Sequence, residues 1–156
     1  MKNITGLEGK SKLLIAEKLN ELLANYQVYY QNLRGFHWNI KGNDFFTLHE
    51  KFEELYHAAQ ESIDEVAERI LTLDTQPLHA YSDFIEKSSI QEMKNISDSK
   101  GTVEGILSSL KVLIALEREI LTLSGEADDE GTNSLMSDYI TTQEKTVWMF
   151  SSYLNK

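Results

Sequence analysis

A chain of 156 residues, 41% hydrophobic and 26% charged with one proline, is long enough for a single domain over 1–156 with its own core. It has no cysteine, which excludes disulfides and thiolate metal sites, and no apolar run that approaches the length of a membrane span. The formal net charge of -10 at pH 7 works against tight contact with nucleic acid or anionic membranes and favours cations, although solubility alone also accounts for it.

The first ten residues lack a signal-peptide core, and the absence of cysteine fits the cytoplasm, which is the expected location. Ile15, Leu19, Leu22, Tyr26, Tyr29, Leu33 and Phe36 recur at alternating four- and three-residue steps, which predicts a long amphipathic first helix. Thr5 and Glu8 form a capping box ahead of it, and Lys41-Gly42-Asn43 should end it. Asp44 is the expected N-cap of a second helix reaching about Leu73, with Phe45, Leu48, Phe52, Tyr56, Ala59, Ile63, Val66 and Ile70 as its stripe.

A polar passage follows, from about Thr75 to Gly101. Ser89-Ile90-Gln91-Glu92 reads there as another capping box, so a short extra helix is expected at that point. Thr102 should open a third long helix to about Leu123, carrying Ile106, Leu110, Leu113, Ile114, Leu116 and Ile120. After the acidic turn from Gly125 to Gly131, Thr132 should cap a fourth, with Leu135, Met136, Tyr139, Ile140, Val147, Trp148, Phe150 and Leu154. The expected fold is all-α: a ferritin-like four-helix bundle with a short extra helix in the long connection between the second and third helices.

The second helix carries two ligand pairs at i, i+4, His49 with Glu53 and Asp64 with Glu68. Imidazole with carboxylate suits ferrous iron or zinc, and carboxylates alone suit harder ions. Fifteen residues separate His49 from Asp64, about 22 Å along a helix, whereas metal bonds are about 2 Å long. An antiparallel hairpin turning near 41 or 42 brings His37 to His49 and leaves Asp64 opposite Leu19 to Leu23. If the four share one centre, one chain supplies His37 and His49, and a second copy supplies Asp64 and Glu68 across a two-fold axis.

A site inside the bundle would need Glu-x-x-His on each of two helices. One copy exists, Glu54 with His57; the four histidines are His37, His49, His57 and His79, and Arg34 precedes His37 by three. That site is not expected, and His57 and His79 read as ordinary. The plain alternative for Glu61, Asp64, Glu65 and Glu68 is a solvated helix face, and for His37 a hydrogen-bonded helix-end histidine.

The run H-W-N-I-K-G-N-D-F-F-T-L-H-E-K-F-E-E-L-Y at 37–56, I-D-E-V-A-E-R-I at 63–70 and E-K-T-V-W-M-F at 144–150 resemble the Dps family, or mini-ferritins. The resemblance covers nearly the whole chain. It implies ferroxidase ligands at His37, His49, Asp64 and Glu68, with Glu53 at the second metal position, in a di-iron (Fe2+/Fe3+) centre at a two-fold interface. It further implies a homo-oligomeric shell of twelve subunits with two-fold and three-fold interfaces. Ferrous iron and hydrogen peroxide would be the substrates and ferric mineral the stored product. Trp38 beside His37 reads as a sacrificial electron donor or as a core or interface tryptophan, and Tyr29 and Tyr30 less so. Among the turn acids Glu126, Asp128, Asp129 and Glu130, the last two best match the family's pore acids; a solvated loop is the alternative.

Family members that bind DNA often use a lysine-rich tail. Here the first dozen residues offer Lys2, Lys10 and Lys12 with Glu8 among them, and Lys156 ends the chain without a basic extension. Tight DNA binding at physiological salt is therefore not expected. A DNA-coating protein with incidental metal binding, and a purely structural bundle, are the competing readings.

Overall fold

The computed structural model describes residues 4–7 and 9–155. Glu8 of the expected first capping box, Lys2 and Lys156 lie outside the described residues. The helices are α1 (Gly9–Asn39), α2 (Phe45–Thr72), α3 (Tyr81–Lys87), α4 (Ser99–Glu126) and α5 (Glu130–Tyr153), with no strand among the described residues. α1 and α2 form one hairpin, α4 and α5 another; α1 also packs on α4, and α3 rests on α1. This is the four-helix bundle with a short additional helix that the periodicity implied.

Burial explains the arrangement. Every residue of the α1 stripe is buried, as are Leu48, Phe52, Ala59, Val66 and Ile70 on α2 and Ile106, Leu110, Leu113, Leu116 and Ile120 on α4. Removing such faces from water is what holds the helices together. Trp148 departs from expectation and is 65% exposed. It stands about 200° round α5 from the buried Phe150, so the two cannot share one face.

The connection between α2 and α4 also differs. The extra helix forms at Tyr81–Lys87, anchored by buried Phe84, and not at the Ser89–Glu92 capping box. Asn25 on α1 decides this: its Oδ1 accepts from the Ser89 and Ile90 amides, both at 3.0 Å, and from Ser88 Oγ at 3.1 Å. Donors that a helix start would leave free are thereby satisfied from another element, and the chain stays extended. Asn20 and Asn32 do the same above and below. Leu78 N bonds Asn20 Oδ1 at 2.8 Å, Met93 N bonds Asn32 Oδ1 at 3.0 Å, and Asn32 Nδ2 returns a bond to Gln91 O at 2.9 Å.

Two helix starts lie earlier than expected, each at an aspartate. Asp98, not Thr102, caps α4 by accepting from Gly101 N at 2.7 Å. Asp129, not Thr132, caps α5 by accepting from Thr132 N at 3.1 Å. A carboxylate three residues before the first free amide outcompetes a threonine already inside the helix. Asp44 does stand at the N-cap of α2, but its side chain makes no capping bond and accepts from Tyr153 Oη at 2.6 Å instead. Gly42 ends the first helix as expected, at φ 111°, a conformation that disfavours any Cβ.

Candidate metal centre

The turn at Gly42 folds the end of α1 back on the start of α2, and Lys41 N ties it to Ser97 O at 2.9 Å. The fold-back lays the His37 and His49 rings on each other, with centroids 3.8 Å apart and planes 15° apart. The two residues then bond reciprocally: His37 Nδ1 lies 2.7 Å from His49 O, and His49 Nδ1 lies 2.7 Å from His37 O. A carbonyl only accepts, so each Nδ1 carries its hydrogen and donates. When neutral, each ring therefore has its free lone pair on Nε2. This is the second-sphere arrangement that orients metal-bound imidazoles. Phe45 stacks beside His49 at 5.0 Å, and Tyr56 meets His37 edge-on at 5.3 Å, so the ring orientations are held by packing as well.

Glu53 follows one turn after His49. Its Oε1 lies 3.4 Å from Tyr56 Oη and 3.8 Å from His57 Nε2. Asp64 and Glu68 are exposed further along α2 and do not join the histidines: among the described residues no group of three or more metal-binding side chains forms within the chain. Of the residues expected as ligands, the fold brings His37 and His49 together and leaves Asp64 and Glu68 apart from them. Glu65, beside Asp64, has its carboxyl raised by burial and then by neighbouring Glu61, Asp138 and Asp64.

Trp38 is 56% exposed, and the Arg34 guanidinium lies 4.7 Å over its ring and 5.6 Å over that of Tyr30. Trp38 is therefore not a core residue of the subunit. Tyr29, by contrast, is buried. In the acidic turn, Asp129 is 2% exposed and pairs with Arg69 of α2, while Thr132 Oγ1 donates to it at 2.6 Å. Its carboxylate is committed to the helix start, and the exposed acids of the turn are Glu126, Asp128 and Glu130.

A second polar cluster lies inside the bundle. Glu117 of α4 is wholly buried; its Oε1 accepts from Tyr26 Oη and Gln143 Nε2, both at 2.7 Å. Glu117 Oε2 and Gln143 Oε1 have no partner among the described residues. Burial pushes the Glu117 carboxyl up to about 7 against the partial relief of these two hydrogen bonds. The expected meeting of His37 with His49 is observed; sequence reasoning missed their reciprocal hydrogen bonds, this cluster and the asparagine ladder. The signals were a glutamate on an otherwise apolar stripe, between Leu113 and Ile120, and amides at 25 and 32 beside that of α1.

The geometry agrees with what the chain is similar to. The family model described as ferritin-like domain matches residues 16–156. A DNA protection during starvation protein of Porphyromonas gingivalis is 42% identical over 153 residues, covering 98% of this chain and 96% of that one. An uncharacterized protein of Haemophilus influenzae is 52% identical over 151 residues, covering 97% and 94%. The crystal structure of a Dps protein of Vibrio cholerae, described as one of the ferritin-like diiron-carboxylate proteins, superimposes with a TM-score of 0.95. It is 48% identical, over 97% of this chain and 95% of that one.

Proposed function

The chain belongs to the Dps family of the ferritin-like superfamily, and from that premise we propose that it is a cytoplasmic ferroxidase and iron store. It oxidises ferrous iron with hydrogen peroxide and keeps the ferric product in a hollow shell of twelve copies. The observation that carries the reading is the reciprocal lock of His37 and His49. It leaves two Nε2 donors oriented, with no third ligand to complete them among the described residues.

In this reading His37 and His49 of one subunit and Asp64 and Glu68 of its neighbour hold the substrate iron. Glu68 is the residue suited to bridge two ions, Asp64 flanks, and Glu53 serves the second position. The protein contributes geometry and charge: carboxylates favour the ferric state, hard acid on hard base. Two ferrous ions give peroxide one electron each, and with two protons the products are two ferric ions and two waters. Paired delivery avoids the single-electron cleavage that releases hydroxyl radical. Trp38 stands next to His37 as a donor for stray oxidising equivalents. The Arg34 charge over its ring opposes electron loss, so only a strong oxidant would draw on it. Glu130 with Glu126 and Asp128, in place of the engaged Asp129, supplies the negative charge for a three-fold inlet.

Anaerobic ferrous titration followed by peroxide tests the assignment on native protein, Glu68→Ala and His37→Ala. Unchanged iron oxidation in both variants would remove it.

The second reading, a DNA-coating protein, draws on the names of relatives such as the one from Porphyromonas gingivalis. Against it stand the net charge of -10 and Lys12, whose ammonium is taken by Asp74 at 2.9 Å. Retardation of plasmid by the assembled protein at about 0.15 M salt would revive it.

A further inference from the structure

Met93 lies in the crossover between α3 and α4, and no part of the proposed function uses it. Its side chain is half-buried, and its sulfur fills a hollow that Gly105 leaves on α4. A Cβ on Gly105 would stand 2.8 Å from Met93 Sδ and 3.2 Å from Cζ of Phe36. Sulfur and ring edge thus meet over the same bare stretch of helix, a contact that suits a polarizable thioether. Phe36 is the residue before His37 and is itself buried against Phe52, with ring centroids 6.0 Å apart.

Small solutes can reach Met93 from two sides. It borders a cleft of about 400 Å³ shared with Tyr30 and Arg34, and another of about 270 Å³ shared with Asn39 and Lys41. Met136, by contrast, is fully buried. Backbone bonds join this contact to the histidines. Met93 N–H donates to Asn32 Oδ1 of α1 at 3.0 Å, and Ser97 O, four residues on, accepts from Lys41 N–H at 2.9 Å. Lys41 stands in the turn that lays His37 on His49. Between the two bonds the crossover is pressed on the core by Met93 and Ile96, both half-buried.

We propose that Met93 is a peroxide-sensitive clasp: hydrogen peroxide converts its thioether to the sulfoxide, which frees the crossover from α4 and slackens the histidine pair. The modification site stands on the packing alone; its effect on iron rests on the ferroxidase reading. The sulfur gives an electron pair to one peroxide oxygen and the O–O bond breaks. The departing hydroxide takes the proton of the transferred oxygen, leaving S=O and water. Sulfur is oxidised by two electrons, and peroxide is reduced by two. The new oxygen is a strong acceptor in a place without a free donor. Gly105 N–H is spent inside α4, and Gly105 O already receives Ser109 Oγ at 2.9 Å. An apolar hollow that would hold an unpaired polar atom expels it. Iron oxidation therefore slows when peroxide outruns ferrous iron, and reduction of the sulfoxide restores it.

The test treats the assembled, metal-free protein with hydrogen peroxide and maps oxidation by peptide mass spectrometry, with buried Met136 as the unreactive reference. Met93 should gain one oxygen, and the Met93 and Lys41 amides should then exchange hydrogen at least about tenfold faster. Zinc affinity, read by calorimetry, should fall at least about tenfold. Met93→Leu keeps apolar packing and should show neither change after the same treatment, whereas methionine sulfoxide reductase should reverse both in native protein. Met93 left unoxidised, Met93 oxidised with exchange or zinc affinity unchanged, or equal losses in Met93→Leu, overturns the clasp. If zinc affinity of untreated protein is indifferent to His37→Ala, the ferroxidase reading falls instead, and exchange at Lys41 alone decides whether the clasp opens.

Discussion

His37 and His49 sit at the turn end of the α1–α2 hairpin with their Nδ1 hydrogens given to backbone carbonyls and their Nε2 atoms left open. Glu117 sits at the heart of the bundle with one oxygen held by Tyr26 and Gln143 and the other without a partner among the described residues. Both are polar clusters built by helices crossing, yet they are suited to different things. The histidines have lone pairs that are oriented, and in the proposed centre carboxylates of a second copy would meet them. The carboxylate has an orphan oxygen but no imidazole beside it and no basic side chain among its bonded partners, so near neutrality it takes up a proton. Enclosing an acid in a helical bundle does not make a metal site; spare donors with room for an ion do.

The contrast can be broken most severely at the open cluster. Losses from second-sphere changes run to about 10–100-fold, so removing a ligand, in His37→Ala or Glu68→Ala, should slow peroxide-driven iron oxidation by about 100-fold or more. Mixing the two variants after disassembly should restore about a quarter of the sites, because half the pairs are mixed and each mixed pair rebuilds one of its two centres. No recovery in stopped-flow absorbance from mixed shells would place the whole centre within one subunit.

The closed cluster should instead govern stability against pH. Glu117 is held near 7 in the fold, against about 4.5 in the unfolded chain, so the folded state keeps a proton that the unfolded state has already released. Stability from this group is greatest below about pH 4.5, falls as pH rises to about 7, and is level beyond. The loss is on the order of 3 kcal/mol. Glu117→Gln should remove that slope in denaturant unfolding at fixed protein concentration, while iron oxidation continues. Parallel slopes in the two proteins would refute the assignment.

Smaller changes sharpen the contrast. Tyr26→Phe removes a hydrogen bond that lowers the Glu117 carboxyl. It should cost about 1–2 kcal/mol and shift the pH range of the loss upward, readable by repeating the same unfolding series. Gly42→Ala places a side chain at φ 111°. It should cost about 1 kcal/mol and weaken metal binding by disturbing the histidine stack. A variant with native stability would show that the turn relaxes freely.

Much was legible along the chain. The burial of Ile15 through Phe36 and of Leu48, Phe52, Ala59, Val66 and Ile70 follows from period 3.6 alone, and so does the separation of His49 from Asp64; Tyr56 and Ile63 of the same stripe are only half-buried. The Ser89–Glu92 capping box misled because its amides are claimed by Asn25, more than sixty residues away. Thr102 and Thr132 misled because Asp98 and Asp129 sit where a carboxylate reaches the first free amides. Nothing local marked Asp129 as an Arg69 partner.

By itself the sequence determined the helices, their buried faces, the kinds of ligand present and the impossibility of gathering them on one straight rod, since all of these depend on side-chain type and spacing along a known pitch. Only the tertiary structure decided which ring nitrogen stays open, how the crossover runs and which acids are engaged. Those are questions of hydrogen-bond partners, and the partners come from remote parts of the chain that folding alone brings within reach.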